Sequence, residues 1–400
     1  MTFFDNAKKV LQQNIREYGM YIALFVIMIF FTVATDGTFI SSRNIVNLIN
    51  QTGYIAVLAV GMTLIIIIRQ IDLSVGFLAG FLGAIAAIAM SDPKVVANGL
   101  NLPVYIVIPF TLLLGVLAGL LTAFLVAQMK IPSFVASLAG WLIYRGAILV
   151  VTESTGTIII TNEAFNAIGN GFIPDIPDIG ILPGVHKLTL ILGALAVVLL
   201  IVSELNTRRK KQNYNFEVLP TEIFVLKLIF LSLIISGITW ILAGYQGLSW
   251  TAVIVLVVTL IYNFVMSQTV LGRHIYAIGG NPDAAELSGI SVKKLIYVVF
   301  GSMGMLSALS GILFASRLQS ATTTAGTLFE LDAIAAAYVG GVSAAGGVGK
   351  VVGSIIGALV MTSLTSGMNL MGIGISYQYI VRGAVLAAAV IFDVTTRGKN

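Results

Sequence analysis

The sequence predicts an all-α fold, a polytopic transmembrane helical bundle of about 12 segments, some of them short or broken. Two observations carry that prediction. Of the 400 residues, 58% are hydrophobic and only 10% charged, whereas a soluble domain carries roughly 25% charged residues; a water-facing surface is not available. Apolar runs of about 20 residues recur along the whole length, each long enough to cross ~30 Å of hydrocarbon as a helix. They do not alternate as the ~10-residue strands of a membrane β-barrel would.

Segments are expected at approximately 20–35, 50–68, 73–91, 104–127, 133–151, 188–206, 221–243, 250–267, 294–316, 332–347, 351–371 and 376–394. The first follows Lys8, Lys9 and Arg16 and runs on to Thr32 without a small-residue cleavage site, so it reads as a retained helix, not a signal peptide. The second ends at Arg69 and Gln70, and Asp72 opens the third, which carries Gly76, Gly80 and Gly83. Lys130 to Pro132 divides the fourth from the fifth. Thr152 to Lys187, with Glu153, Glu163, Asp175, Asp178 and several prolines, is long enough to form an external cap. The sixth and seventh form a hairpin over 188–243 around the basic stretch "RRKKQNYNFEVLPTE" (Arg208–Glu222), which reads as a solvated or lipid-facing connector. The tenth, rich in Ala and Gly, suits a short or broken helix packed inside protein. No soluble block exceeds about 35 residues, too few for an independent core, so 1–400 reads as one membrane domain.

With a cytoplasmic N-terminus, the inner loops collect Lys8, Lys9, Arg16, Arg69, Lys130, Arg208, Arg209, Lys210, Lys211, Lys227, Arg273, Lys293, Lys294, Lys350, Arg397 and Lys399, and the outer loops Arg43, Lys94, Lys187 and Arg317. The positive-inside rule selects this orientation and places both termini in the cytoplasm. The formal charge of +5 therefore sets orientation and does not point to nucleic acid.

Chemistry of its own is not evident. There is no cysteine, which excludes disulfides and thiolate metal sites, and the two histidines, His186 and His274, lie far apart in loops, which argues against zinc or haem. No metal or cofactor is expected. "AAGGVGKVVG" fails the phosphate-loop pattern at Ala344 and at Val351, where magnesium would need a hydroxyl. "LSGIS" lacks the next glycine of an ATPase signature. No paired carboxylates or nucleophile–base set emerges, so an enzyme is not expected.

Asp72 and Asp332 each open a glycine-rich helix on opposite sides, the pattern of an inverted repeat, and each can cap free N–H groups. Gly76/Gly80, Gly115/Gly119 and Gly353/Gly357 suit close helix packing more than a channel lining. Arg145 fits either a polar pathway or a structural pair, whereas Arg382 fits a structural pair better.

"GRHIYAIGGNPDAAELSGI" (Gly272–Ile290) is the polar connector within 268–293. Asn281 can cap a helix with Pro282 at its first position, Asp283 complements the positive end, and Gly289 can end it. Gly279 and Gly280 would make the sharp turn into it, and Leu287 with Ile290 would form its apolar face. A short capped helix of this kind is a lever that a partner can grip.

That stretch closely resembles the cytoplasmic coupling loop of the monosaccharide permeases of ABC importers, the ribose/xylose/galactose group. "AVGMTLIIIIRQIDLSVG" (Ala59–Gly76), "KIPSFVASLAGWLIYRG" (Lys130–Gly146) and "ELDAIAAAYVGGVSAAGGVG" (Glu330–Gly349) extend the resemblance over nearly the whole chain. The family usually reads "TGGIDLSVG" where this chain has "IRQIDLSVG", so Arg69 and Gln70 depart from it. The 188–243 hairpin, added to a family core of about ten segments, is similar to the longer xylose and multiple-sugar permeases. The resemblance implies a bacterial inner-membrane permease in lipid, dimerised with a second permease subunit, a further copy or a related chain, together with a cytoplasmic ABC ATPase and a periplasmic sugar-binding protein. It implies that Gly272, Arg273, Gly279, Gly280, Asn281, Pro282, Asp283, Ala285, Glu286 and Gly289 couple to the ATPase. Replacing Gly280 or Glu286 would then uncouple hydrolysis from uptake. For the pathway, the breaks around Asp72, Ser74, Pro132, Ser133 and Phe134 are the candidates, with Arg145, and with Asn47 and Gln51 near the outer mouth. Rival readings are a branched-chain amino acid permease, with Arg145 and Asp72 meeting a zwitterion, and an ion-coupled secondary transporter. A structural or receptor membrane protein leaves the glycine-rich breaks unexplained.

Overall fold

The computed structural model describes residues 15–94, 96, 99–153, 156–177, 182–216 and 218–397. Lys8, Lys9, Asp178 and Lys399, with the side chains of Arg16 and Arg397, lie outside the described residues. Among the described residues there are fifteen α-helices: α1 (Ile15–Ala34), α2 (Ser42–Ile67), α3 (Val75–Met90), α4 (Val104–Ala127), α5 (Ser133–Thr152), α6 (Glu163–Asn170), α7 (Lys187–Asn213), α8 (Thr221–Ala243), α9 (Trp250–Gln268), α10 (Val270–Gly280), α11 (Pro282–Leu287), α12 (Val292–Leu318), α13 (Phe329–Val339), α14 (Val351–Leu370) and α15 (Ile375–Arg397). Nine of these are long and apolar enough to cross a membrane, and α1 and α3 contain shorter apolar rods. With α13, every expected segment has its helix.

Two expectations change in detail. α13 stops at Val339 instead of running to 347, because Gly341, Gly346 and Gly347 take φ of 88°, 79° and 71°, which no helix accommodates. The 268–293 connector holds two helices, α10 and α11, where one was expected.

The chain forms two compact units. One comprises Arg16–Phe39, Leu48–Gly171 and Trp250–Asn400. At its centre the second half of α2 is apolar nearly all round, and Ile55 through Ile68 lie buried, as expected of a segment without a polar face. α12 packs along α3 and α4, and α13 packs on α14. Thr52 and Thr63 tie α2 to α14 through the hydroxyls of Thr362 (2.6 Å) and Ser354. The paired glycines act as packing surfaces: a side chain at Gly76, Gly80, Gly115, Gly119, Gly353 or Gly357 would strike the backbone of a neighbouring element. α4, α5, α9 and α15 keep most of their apolar length open, as lipid-facing helices do. At one end β1 (Thr157–Ile159) pairs antiparallel with β2 (Ser320–Thr322), Ile158 opposite Ala321, and α6 follows, capped by Asn162 accepting from Phe165 N at 3.1 Å.

The other unit contains Ile40–Asn47 and Phe172–Ser249, and is built on the α7–α8 hairpin. Lys227 reaches Glu204 at 2.8 Å. Arg208 lies over the Phe224 ring at 4.5 Å and donates to Leu219 O and Thr221 Oγ1. The basic stretch is therefore partly a clasp, with Arg209, Lys210 and Lys211 left exposed. At the start of α7, the carboxylate of Asp175 accepts from Leu188 N (2.8 Å) and Lys187 N (3.0 Å). These donors hold its carboxyl below the usual carboxylate range.

Candidate functional site

Two clusters gather most of the residues singled out by sequence. The first is the exposed end formed by α10 and α11. Thr269 caps α10 by accepting from Gly272 N at 3.3 Å, and Gly272 is confined because a side chain there would strike the carbonyls of Val265 and Met266. Ile275, Ile278 and Gly279 are buried, while Arg273, Ala277 and Gly280 face outward, the division a 3.6-residue period imposes. Asn281 Oδ1 accepts from Ala284 N at 3.1 Å, Pro282 occupies the first position of α11 and Asp283 its first turn. Gly289 has φ of 84°.

The turn differs from expectation. Gly279 and Gly280 do not make it; they are the last residues of α10, and Asn281, extended at φ −153°, turns the chain alone. Gly279 is needed for close approach: it lies against the Ile67 carbonyl and Gly347. Leu287 is not part of the inward face either. Ala285 points in at 4% exposure, and Leu287, two residues on and so about 200° round the helix, stands at 90%. Ile290 does pack on the core. Asn281, Asp283, Glu286 and Leu287 thus share an open surface.

Behind that surface lies a junction that sequence reasoning missed. Gly347 N donates to Ile67 O at 2.9 Å, and Tyr276 OH donates to Gly349 O at 2.7 Å. Burial pushes the Tyr276 hydroxyl pKa up, which keeps the proton on the donor. Arg69 Nε donates to Gly279 O at 2.7 Å and Nη2 to Gly280 O. On α15, Asp393 accepts from Ala344 N at 3.1 Å. The glycine-rich turn that invited comparison with a phosphate loop is a packing element between α2, α10 and α15.

The second cluster surrounds the break between α2 and α3. Asp72 is buried, and its Oδ1 accepts from Ser74 N (2.9 Å) and Ser74 Oγ (2.6 Å). It closes a turn ahead of α3 and does not cap N–H groups within the helix, as had been expected. Ser133 Oγ accepts from Ile71 N at 3.2 Å, and Ser137 Oγ donates to Ile71 O at 3.4 Å, so the start of α5 is stitched to the break. Pro132 and Phe134 flank Ser133 and are exposed. Arg145, further along α5, sits half-buried over the Phe77 ring at 4.9 Å. Asn47 and Gln51 are not part of this set: Gln51 lies 16 residues before Ile67 along α2, roughly 24 Å, and Asn47 belongs to the other unit.

The start of α13 meets the start of α3. Side chains at Gly76 and Gly80 would run into Gly326 O and Ala325 O, so two short helices begin against one another, as an inverted repeat would arrange them. Glu330, which sequence reasoning passed over, is buried here: Oε1 accepts from Trp141 Nε1 at 3.0 Å, and Oε2 has no hydrogen-bond partner among the described residues. A carboxylate in an apolar run was its available signal. Asp332 was expected to cap α13. It lies inside the helix, which begins after Leu328 at φ 66°, and pairs with Arg382 at 3.2 Å. Arg382 also donates to Thr365 Oγ1 at 2.7 Å, a structural pair between α13, α14 and α15.

A family model described as branched-chain amino acid transport system / permease component matches residues 44–390. Among curated proteins, the chain is 40% identical to the xylose transport system permease protein XylH of Haemophilus influenzae, covering 98% of this chain and 99% of that one. It is 38% identical to XylH of Escherichia coli K12, over 97% and 94%. The ribose import permease protein RbsC of Haemophilus influenzae is 34% identical, over 94% and 93%. No solved structure matches the chain.

Proposed function

The chain belongs to the permease family of ABC importers, in its monosaccharide group, and from that premise we propose how its two clusters divide the work of moving a sugar. It is a multi-pass membrane permease, and its relatives' names favour a sugar over a branched-chain amino acid. Xylose is the substrate we assign, because the two XylH proteins match at higher identity than RbsC.

The α10–α11 surface is the coupling site. One observation carries this: the capped α11, with Leu287 exposed, follows directly on α10, which Gly279 and Tyr276 fasten at its back to buried core. A partner that grips such a surface moves the core with it. The gripping partner is a cytoplasmic ABC ATPase that carries the nucleotide chemistry, and sugar arrives from a periplasmic binding protein. Two copies of the chain, embedded in lipid, frame the pathway. Loops bearing Arg69, Lys130, Arg208–Lys211, Arg273, Lys293, Lys294 and Lys350 face the cytoplasm with both termini, by the positive-inside rule.

The pathway runs past the meeting of the two short helices. Sugars are neutral and rich in hydroxyls, so Asp72, Ser74, Ser133, Arg145, Trp141 and Glu330 supply acceptors, donors and an aromatic face without a charged ligand to balance. Asn47 and Gln51, at the far end of α2, belong to the outer mouth.

Proteoliposomes holding this chain, its ATPase and its binding protein test the reading. Xylose uptake that requires ATP on the ATPase side is expected. Uptake that persists without the ATPase and collapses with an ion gradient would overturn it.

A further inference from the structure

The break between α2 and α3 is closed by an unusual residue. Arg69 N donates to Ile66 O and Gln70 N to Ile65 O, the paired bonds of a Schellman helix end with Arg69 in the left-handed position at φ 61°. Glycine is the usual residue there because a Cβ is disfavoured. Strain at a non-glycine residue persists where the surroundings fix it, and here they are plain. The guanidinium spans the carbonyls of Gly279 and Gly280, among the acceptors that the end of α10 leaves without helical partners. A cation at that end also faces the negative pole of the helix. Three residues on from Arg69 is Asp72, locked to Ser74.

We propose that Arg69 is a positioning residue that fastens the end of α10 to the Gln70–Ser74 segment, so that the coupling surface and the pathway break move as one piece. This rests on the coupling role given above to α10 and α11, and adds a direct route from that surface to the pathway that bypasses the long spans on either side of it. Lysine cannot fork between two carbonyls, so the arrangement is specific to arginine.

The test uses the permease assembled with its ATPase and binding protein in proteoliposomes. Arg69→Gly removes the guanidinium and suits the left-handed backbone, and the sugar moved per ATP is expected to fall roughly tenfold, about the loss of one charge-assisted hydrogen bond. Arg69→Lys is expected to recover only part of that ratio. Because the chain has no cysteine, spin labels at Ile71→Cys and Ser288→Cys report the junction with Arg69 intact. Their separation should be the same with and without ATP, and should broaden in Arg69→Gly. A wild-type ratio in Arg69→Gly, or an ATP-driven change in separation with Arg69 present, overturns the proposal while leaving the permease reading standing. Wild-type uptake independent of the ATPase would remove both.

Discussion

Replacing Gly279 with alanine puts a methyl group onto the Ile67 carbonyl, 2.5 Å from Gly347 N and 2.8 Å from Gly347 Cα. All three are backbone atoms, so no side chain can swing aside. Overpacking of a tight site costs about 1–3 kcal/mol. Prising Gly347 from Ile67 adds the loss of their hydrogen bond, about 1 kcal/mol, and the better helix propensity of alanine returns up to ~1 kcal/mol. The net expectation is a loss of about 1–3 kcal/mol, concentrated at one end of the molecule. Gly280, the next residue, is the internal control, since a Cβ there meets nothing within 4 Å. Gly280→Ala should match or slightly exceed wild-type stability, and any uncoupling it causes must arise at a partner's surface. Thermal unfolding in detergent, with hydrogen exchange at Tyr276 to Gly280, measures both variants. Equal melting of Gly279→Ala and Gly280→Ala, with unchanged protection, would refute the close-packed junction.

Three further expectations follow from single contacts. Asp332→Asn leaves Arg382 in a mostly buried site without its counter-charge and should cost about 3 kcal/mol, whereas the Asp332→Leu/Arg382→Leu double variant should recover much of that in a double-mutant cycle. Asn281→Ala removes the cap of α11 and should cost about 1 kcal/mol, with Asn281→Asp retaining it; exchange at Ala284 N reports the difference. The Asp175 carboxyl, held low chiefly by Leu188 N, stabilises its turn fully above the ordinary carboxylate range and loses that contribution as pH falls through the lowered value. Proteolysis around Asp175 should therefore accelerate only as pH falls below the ordinary carboxylate range, and Asp175→Asn should show no such step.

Much of this architecture was legible because the signals are local. A run of about 20 apolar residues is a span wherever it occurs, and Asn281, Pro282 and Asp283 specify a helix start within three residues. What stayed hidden depends on contacts far apart in sequence. Asp332 looked like a cap because its partner Arg382 lies fifty residues away. Gly279 and Gly280 looked alike, though one is held against α2 and the other faces outward. Leu287 pairs with Ile290 as an apolar face in the sequence, yet a six-residue helix is too short for its period to reveal which side turns inward. Arg69 was visible as a departure from the resembled motif, but only the left-handed backbone and the two carbonyls it reaches explain why a cation is there.

The placement of the two clusters has a mechanical consequence. From Arg69 to Ser74 the chain takes five steps, at most about 18 Å, and Ser133 grips the segment partway along at Ile71. A segment this short and this tethered has little slack, so a displacement of Gly279 that Arg69 follows cannot dissipate before Asp72. At the far end of the segment the start of α3 lies against Gly326 and Glu330 without room for a side chain. Movement of α3 must therefore be matched by the start of α13, and Asp332 in turn binds α13 to α15. The glycines that remove side chains at these contacts make the helices follow one another, because backbones in direct contact have no rotamers with which to absorb a shift.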